Sequence, residues 1–274
     1  MKKGTIYLIL LLLCCLNSAA QKTGMQSYSM QRGESYMYDT YYKWGLIMAR
    51  AGEASFTFNP DRTIANATSK LHLLYKSSKL LDGFFKMRDT LTGFYNNDNK
   101  LVFSEKRTNE GGYYEVDKLS FNYETEKTII HSYRSTLTRV KVDTTLIAVG
   151  DVTDMLGVFF YLRGINRKML RQGDIFPIKV AVGRDLVNVQ FIYQNQMIVE
   201  RENVKFNTLY FKIDIIDDAF VSTKTAAEVW IGDDDNLLPI KVRSKMQIGY
   251  IEVYYKSSSS LAHPLSCAIT IKPH

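Results

Sequence analysis

Cysteine is nearly absent from the body of this 274-residue chain: Cys14 and Cys15 sit in an N-terminal apolar stretch, and only Cys267 lies beyond it. With no second thiol in the body, no disulfide framework can form there and the fold must rest on its core. Histidine is scarce too, with His72, His131, His263 and His274 far apart and without cysteine neighbours. There is no HExxH and no CxxC pair, so the donor spacing of a zinc site is missing, and neither a metal nor another cofactor is expected. The chain contains no GxSxG elbow for a serine nucleophile, and Gly111-Gly112 lacks the Lys-Ser/Thr pair of a phosphate loop. After residue 20, no apolar run approaches the roughly 20 residues a membrane-crossing helix needs. The formal net charge is +7, but Lys and Arg are scattered among Asp and Glu, which speaks against nucleic acid as a partner.

The N-terminus holds what the rest lacks. Lys2-Lys3 precede an apolar run, Ile6 to Leu13, and the segment ends in Ser18-Ala19-Ala20. Positive charge, a short apolar core and small residues at −3 and −1 form the pattern of a secretory signal peptide, with cleavage expected between Ala20 and Gln21. Lipid attachment at Cys14 or Cys15 is disfavoured, because Leu13 and Cys14 occupy the preceding position where processing wants a small residue. The expectation is a soluble, exported, periplasmic protein. Residues 21–33 read as a flexible lead-in, 34–256 as a single β-rich domain and 257–274 as a loosely held tail in which Ala268 to Ile271 could add an edge strand.

Aromatic residues are plentiful, with 18 Tyr and 14 Phe, and they fit half-buried pleated surfaces. Alternation starts at Tyr36, Tyr38, Thr40 and Tyr42 and recurs through Ala54–Phe58, Arg88–Asn96, Leu119–Tyr123, Ile178–Val182, Val187–Tyr193, Leu209–Ile215, Val229–Ile231 and Leu238–Val242. Thr128–Val142 reads as one strand, and the phase step between Val116 and Leu119 as a turn or bulge at Asp117-Lys118. Two helices are expected. Leu71, Leu74, Ser78, Leu81 and Phe85 fall at helical spacing ahead of Asp82-Gly83. Asp151–Arg163 carries an apolar stripe of Val152, Met155, Leu156, Phe159 and Leu162, with Gly164 as its stop. Short strands joined by tight turns give a mostly β fold: a single antiparallel, open or half-closed β-barrel-like domain with one or two short helices.

Several constellations have two readings. Tyr36, Tyr38, Tyr41, Tyr42 and Trp44 either line a cavity or fill a core. Asp233-Asp234-Asp235-Asn236 has acids enough for calcium but not the EF-hand spacing, and reads as a solvated turn. Cys267, beside Ile269 and Ile271, reads as a small apolar residue. Arg163 either reaches the rim of a pocket and neutralises an acidic ligand, or caps its helix and pairs internally. Among 28 acids, no carboxylate pair stands out for glycoside hydrolysis.

Segments in a fixed order carry a resemblance. They are Gly33-Glu34-Ser35-Tyr36; Trp44-Gly45 through Ala51-Gly52-Glu53-Ala54; Phe85 to Asp89; Asp154 through Tyr161-Leu162-Arg163 with Gly173; and Val229-Trp230 through Asp233 to Pro239, ending in Ile248-Gly249. The chain resembles the exported bacterial family catalogued as domain of unknown function 3108. The resemblance implies a Gram-negative envelope protein with one β-rich domain, and brings no catalytic residues. The candidate ligand-binding residues are Trp44, Tyr161, Arg163 and Trp230. The preferred function is a non-catalytic periplasmic carrier or binding module for a lipid-like or other envelope-derived small molecule. The alternatives are an enzyme acting on envelope glycans and a structural or assembly partner of envelope proteins.

Overall fold

In the computed structural model, which describes residues 31–150, 152–216 and 223–270, the alternating segments become sixteen strands of one sheet. The first eight run as a meander: β1 (Ser35–Trp44), β2 (Ile47–Pro60), β3 (Ser69–Ser77), β4 (Arg88–Tyr95), β5 (Leu101–Glu110), β6 (Tyr113–Tyr123), β7 (Thr128–Thr136) and β8 (Val140–Ala148). The two-residue β9 (Val152–Thr153) and helix α2 (Val158–Arg163) lead to β10 (Ile175–Val182) and β11 (Asp185–Arg201). Then come β12 (Val204–Ile216), β13 (Thr223–Gly232), β14 (Pro239–Lys245), β15 (Tyr250–Ser259) and β16 (Ala268–Thr270). A four-residue helix, α1, spans Lys79–Asp82. The sheet order is β8-β7-β6-β5-β4-β3-β2-β1-β15-β14-β13-β12-β11-β10-β9, with β16 added on β12. Mostly β, antiparallel and nearly closed, this is the fold class the alternation predicts.

Because neighbours along the meander are antiparallel, the turns sort into two rims. Those after β1, β3, β5, β7, β10 and β14 lie at one end, here the Leu46 rim; those after β2, β4, β6, β11 and β13 lie at the far rim. Closure at the seam uses side chains instead of a ladder. Ser132 Oγ on β7 donates to the Gly183 carbonyl at 2.6 Å, and Arg184 Nη2 donates to the Lys141 carbonyl at 2.8 Å. Gly183 has φ +58°, and a Cβ there would stand 3.1 Å from Arg134 Nη2, so both backbone and space favour glycine at this turn.

Inside, Tyr36, Tyr38, Leu71, Tyr95, Leu119, Phe121 and Ile130 fill one cluster, with Phe159 of α2 among them. A second gathers Phe176, Ile178, Phe191, Leu209, Phe211, Val229 and Ile231 around Leu162 and Ile165. Helix α2 therefore plugs the barrel by serving both clusters.

The structure corrects several expectations. Leu71, Leu73 and Tyr75 alternate inward from β3, so only Lys79–Asp82 is helical; Ser78 Oγ accepts from Leu81 N at 3.3 Å and starts it. The apolar residues served a two-residue period that resembled a helical one. β6 runs unbroken past Asp117-Lys118, because Val116 simply lies on the outer face opposite Arg107 and Ser135. Thr128–Val142 is a hairpin, not one strand, turning at Leu137–Arg139. The second helix is half its expected length. Asp151 lies outside the described residues, Val152–Thr153 pair in parallel with Lys179–Val180, and Asp154 Oδ1 accepts from Gly157 N at 2.7 Å just before the helix. Met155 is consequently exposed and does not anchor it, whereas Leu156, Phe159 and Leu162 are buried.

The segment read as a loose tail is tied down through residue 270. Ser257–Ser259 belong to β15, Cys267 is buried, and Ala268–Thr270 form the expected edge strand, paired with Val204–Phe206. The acidic turn explains it. Far from being solvated, Asp234 and Asn236 are fully buried: Asp234 Oδ2 accepts from Cys267 N at 3.1 Å, and Asn236 Nδ2 donates to the His263 carbonyl at 2.9 Å. Asp233 and Asp235 pair with Arg167 at 3.1 and 2.8 Å. Burial, and after it Asp234, pushes the Cys267 thiol well above its ordinary range, leaving little thiolate. Cys267→Ser should therefore preserve any binding, and the native thiol should resist alkylation until the protein is denatured. Rapid labelling of the folded protein would contradict this.

Candidate ligand-binding cleft

β10, β11 and β12 keep their inward alternation up to the Leu46 rim, but the large aromatics of the second cluster lie nearer the far rim. At the Leu46 end the inward residues are Val182, Val187, Val189 and Ile215, branched and too short to meet the opposite wall. A cleft of about 1020 Å³ opens there between these strands and β8, with Val142, Met155, Val158 and Val180 completing its apolar walls. It lies where the sheet fails to close by hydrogen bonding.

Three cations and one carboxylate stand in the lining: Arg134, Lys141, Arg184 and Asp185. Arg134 is committed, its Nε paired with Asp117 and 3.5 Å from Glu115. Lys141 Nζ is 2.6 Å from Glu115, and that bond holds the ammonium above its ordinary pKa, so it stays charged. Arg184 is exposed and bonded to a neutral carbonyl; among the described residues it makes no ion pair. Its guanidinium stands at the mouth. A smaller recess of about 60 Å³ continues inward past Leu91, Ser104, Leu119 and Asp154. Burial raises the pKa of Asp154, while the Gly157 and Ser104 bonds work in the opposite direction. Among the described residues, no group of three or more His, Cys, Asp or Glu is placed to hold a metal.

The four residues named from sequence do not converge. Trp44 is exposed at the end of β1, on the rim and outside the cleft. Tyr161 is half-buried, its hydroxyl donating to the Pro177 carbonyl at 2.8 Å and its ring 5.9 Å from Phe191. Trp230 is buried, stacked on Tyr210 at 4.9 Å with Lys241 Nζ 4.9 Å from its ring. Arg163 does not reach a pocket rim. Its side chain and that of Glu34 are both 0% exposed, with Nη1 2.9 Å from Glu34 Oε2 and 2.5 Å from the Tyr36 hydroxyl. Nε donates to the Asn236 carbonyl at 2.9 Å. Burial pulls the guanidinium down to about 9 and pushes the Glu34 carboxyl above its usual range. This is a structural knot joining β1, α2 and the acidic turn.

A family model described as "Protein of unknown function (DUF3108)" matches residues 37–256. The chain belongs to this family. Among solved structures, the DUF3108 chain is similar to a β-barrel-like protein of domain of unknown function DUF1849 from Brucella abortus. The TM-score is 0.56 at 11% identity, covering 84% of this chain and 98% of that one, a likeness of fold alone. A putative exported protein with a YmcC-like fold from Bacteroides fragilis aligns at TM-score 0.30 and 6% identity, covering 86% of this chain and 100% of that one. That score is too low to bear on the fold. No curated protein matches.

The cleft residues of this DUF3108 protein escaped notice because each looks like an ordinary strand residue. A usable signal was the change from aromatic to short branched residues along Val187, Val189, Phe191 and Tyr193, running back into a Gly183-Arg184 turn.

Proposed function

We propose that this protein is a non-catalytic binding or carrier protein, exported after cleavage between Ala20 and Gln21, that holds a molecule with an apolar body and an anionic end. The observation behind the reading is the cleft: about 1020 Å³, walled by branched aliphatic side chains, with Arg184, which makes no ion pair among the described residues, at its mouth. That volume is at the upper end of the ~300–1,000 Å³ typical of small-molecule sites. A short acyl chain or similar hydrocarbon would lie along Val180, Val182, Val187 and Val189, its charged end toward Arg184. A glycan-cleaving enzyme is less well served, since hydrolysis calls for two facing carboxylates and the large cleft offers Asp185.

Native mass spectrometry of protein recovered from its own cells should show a retained small molecule. Val187→Trp with Val189→Trp should fill the cleft and lower occupancy at least about tenfold, because both positions are half-buried and can accept bulk without breaking the core. An empty native protein that also takes up no fluorescent fatty acid would overturn the reading.

A further inference from the structure

We propose that the Leu46 rim docks onto a bilayer surface rich in anionic lipid. The two rims of the barrel are built from opposite chemistry. At the far rim the turns are Asn96-Asn97-Asp98-Asn99, Glu124-Thr125-Glu126-Lys127, Glu202-Asn203 and Asp233 to Asn236, as turn chemistry ordinarily demands. At the Leu46 rim the turns carry large apolar side chains pointed into solvent. Leu46 is 104% exposed between β1 and β2, Phe84 is 86% exposed after α1, and Leu137 is 79% exposed between β7 and β8. Trp44, Leu80 and Ile248 stand exposed beside them. At such exposure these side chains contribute little to folding, and apolar surface at three turns of one rim, parted by the small Gly111-Gly112 turn, marks an interaction site.

The charges around them select the occupant. Lys43, Lys79, Lys86, Arg139, Arg184 and Lys245 lie at or next to the same turns, and none makes an ion pair among the described residues. Among the described acids at these turns, Asp82 is engaged, 2.5 Å from Arg88, while Asp185 and Glu110 make no ion pair, so the cations there outnumber the uncommitted acids by six to two. Apolar tips ringed by uncommitted cations, with a Trp at their edge, match the layering of a lipid interface: hydrocarbon below, anionic headgroups beside. A protein partner would be met by a flatter patch than separate hairpin tips provide. The proposal does not depend on the cleft holding a ligand, although the cleft mouth at Arg184 faces the same rim.

The test uses the chain's own fluorescence. Of its two tryptophans, Trp44 is on the rim and Trp230 is buried. The mature chain, beginning at Gln21, is mixed with phosphatidylcholine vesicles with or without a third of phosphatidylglycerol, some with brominated acyl chains. Trp44 emission should shift to the blue and be quenched by the brominated chains, and Trp44→Phe should abolish both changes. Leu46→Asp with Phe84→Asp should weaken partitioning by at least about tenfold. Omitting the anionic lipid or raising salt to about 0.5 M should weaken it similarly. Ile198→Asp, an exposed apolar residue of β11 toward the other end, should change nothing. Unquenched Trp44 in vesicle-bound protein, equal partitioning of rim and Ile198 variants, or lipid-free self-association abolished by Leu46→Asp would each overturn the proposal, the last assigning the rim to a second copy of this chain.

Discussion

Replacing Arg163 with Ala is expected to destabilise the protein by about 3–5 kcal/mol, the usual cost of leaving one partner of a buried ion pair without the other. Glu34 would then be a buried carboxylate that has lost its cationic partner and keeps neutral donors such as the Tyr36 hydroxyl and the Ala262 amide. The loss should spread, because Arg163 also holds the Asn236 carbonyl and Asn236 in turn holds His263 and Pro264. Hydrogen exchange at Ala262 and His263 should therefore accelerate together with the fall in melting temperature. Arg163→Lys keeps the charge but not the planar fork, so it should melt lower than the wild type yet keep its ligand occupancy. A lysine variant that melts normally but arrives empty would return Arg163 to the binding site. A compensating pair, Glu34→Gln with Arg163→Met, should recover much of the stability, because both charges leave the interior together.

Phe159→Ala should cost about 3–5 kcal/mol, with a fall in Tm of roughly 2–4 °C for each kcal/mol. Phe159 is the point where α2 enters the first core cluster: its ring is stacked on Phe56 at 5.2 Å and tilted against Tyr36 at 5.4 Å. Removing it leaves a void that the surrounding strands, fixed by their ladders, are poorly able to close. Phe159→Leu should recover over half of the loss. Met155→Ala, four residues before Phe159 on the same sequence stripe but exposed in the structure, should change Tm by little. A Met155 variant as damaging as the Phe159 one would mean the helix is seated differently from the description here.

Much of the fold was legible because strand periodicity is local. Leu119, Phe121 and Tyr123 alternate within five residues, and β6 occupies that segment; Gly183-Arg184 between two alternating runs is a two-residue hairpin turn. The failures share one cause. Leu71 and Leu74 fit a helical stripe while Leu71, Leu73 and Tyr75 fit a strand, and only the presence of β2 and β4 on either side decides for the strand, leaving Leu81 to the short helix that follows. The Asp151–Arg163 stripe was right about burial at Leu156, Phe159 and Leu162 and wrong at Met155, since Asp154 stops the helix from starting earlier.

By itself, then, the sequence determined the mostly β class, many of the tight turns and the burial of Leu156, Phe159 and Leu162, because each depends on residues near one another in the chain. It determined the family through motifs kept in order along the whole of the chain. The tertiary structure alone decided what Arg163 is for, since its partner Glu34 is 129 residues away and both lost their water when the barrel formed around them. It alone decided where a ligand could sit, because the cleft exists only where the two ends of the sheet meet without a ladder. The unlike rims were written in the turns all along, but they became two surfaces only when antiparallel pairing carried every second turn to the same end of the barrel.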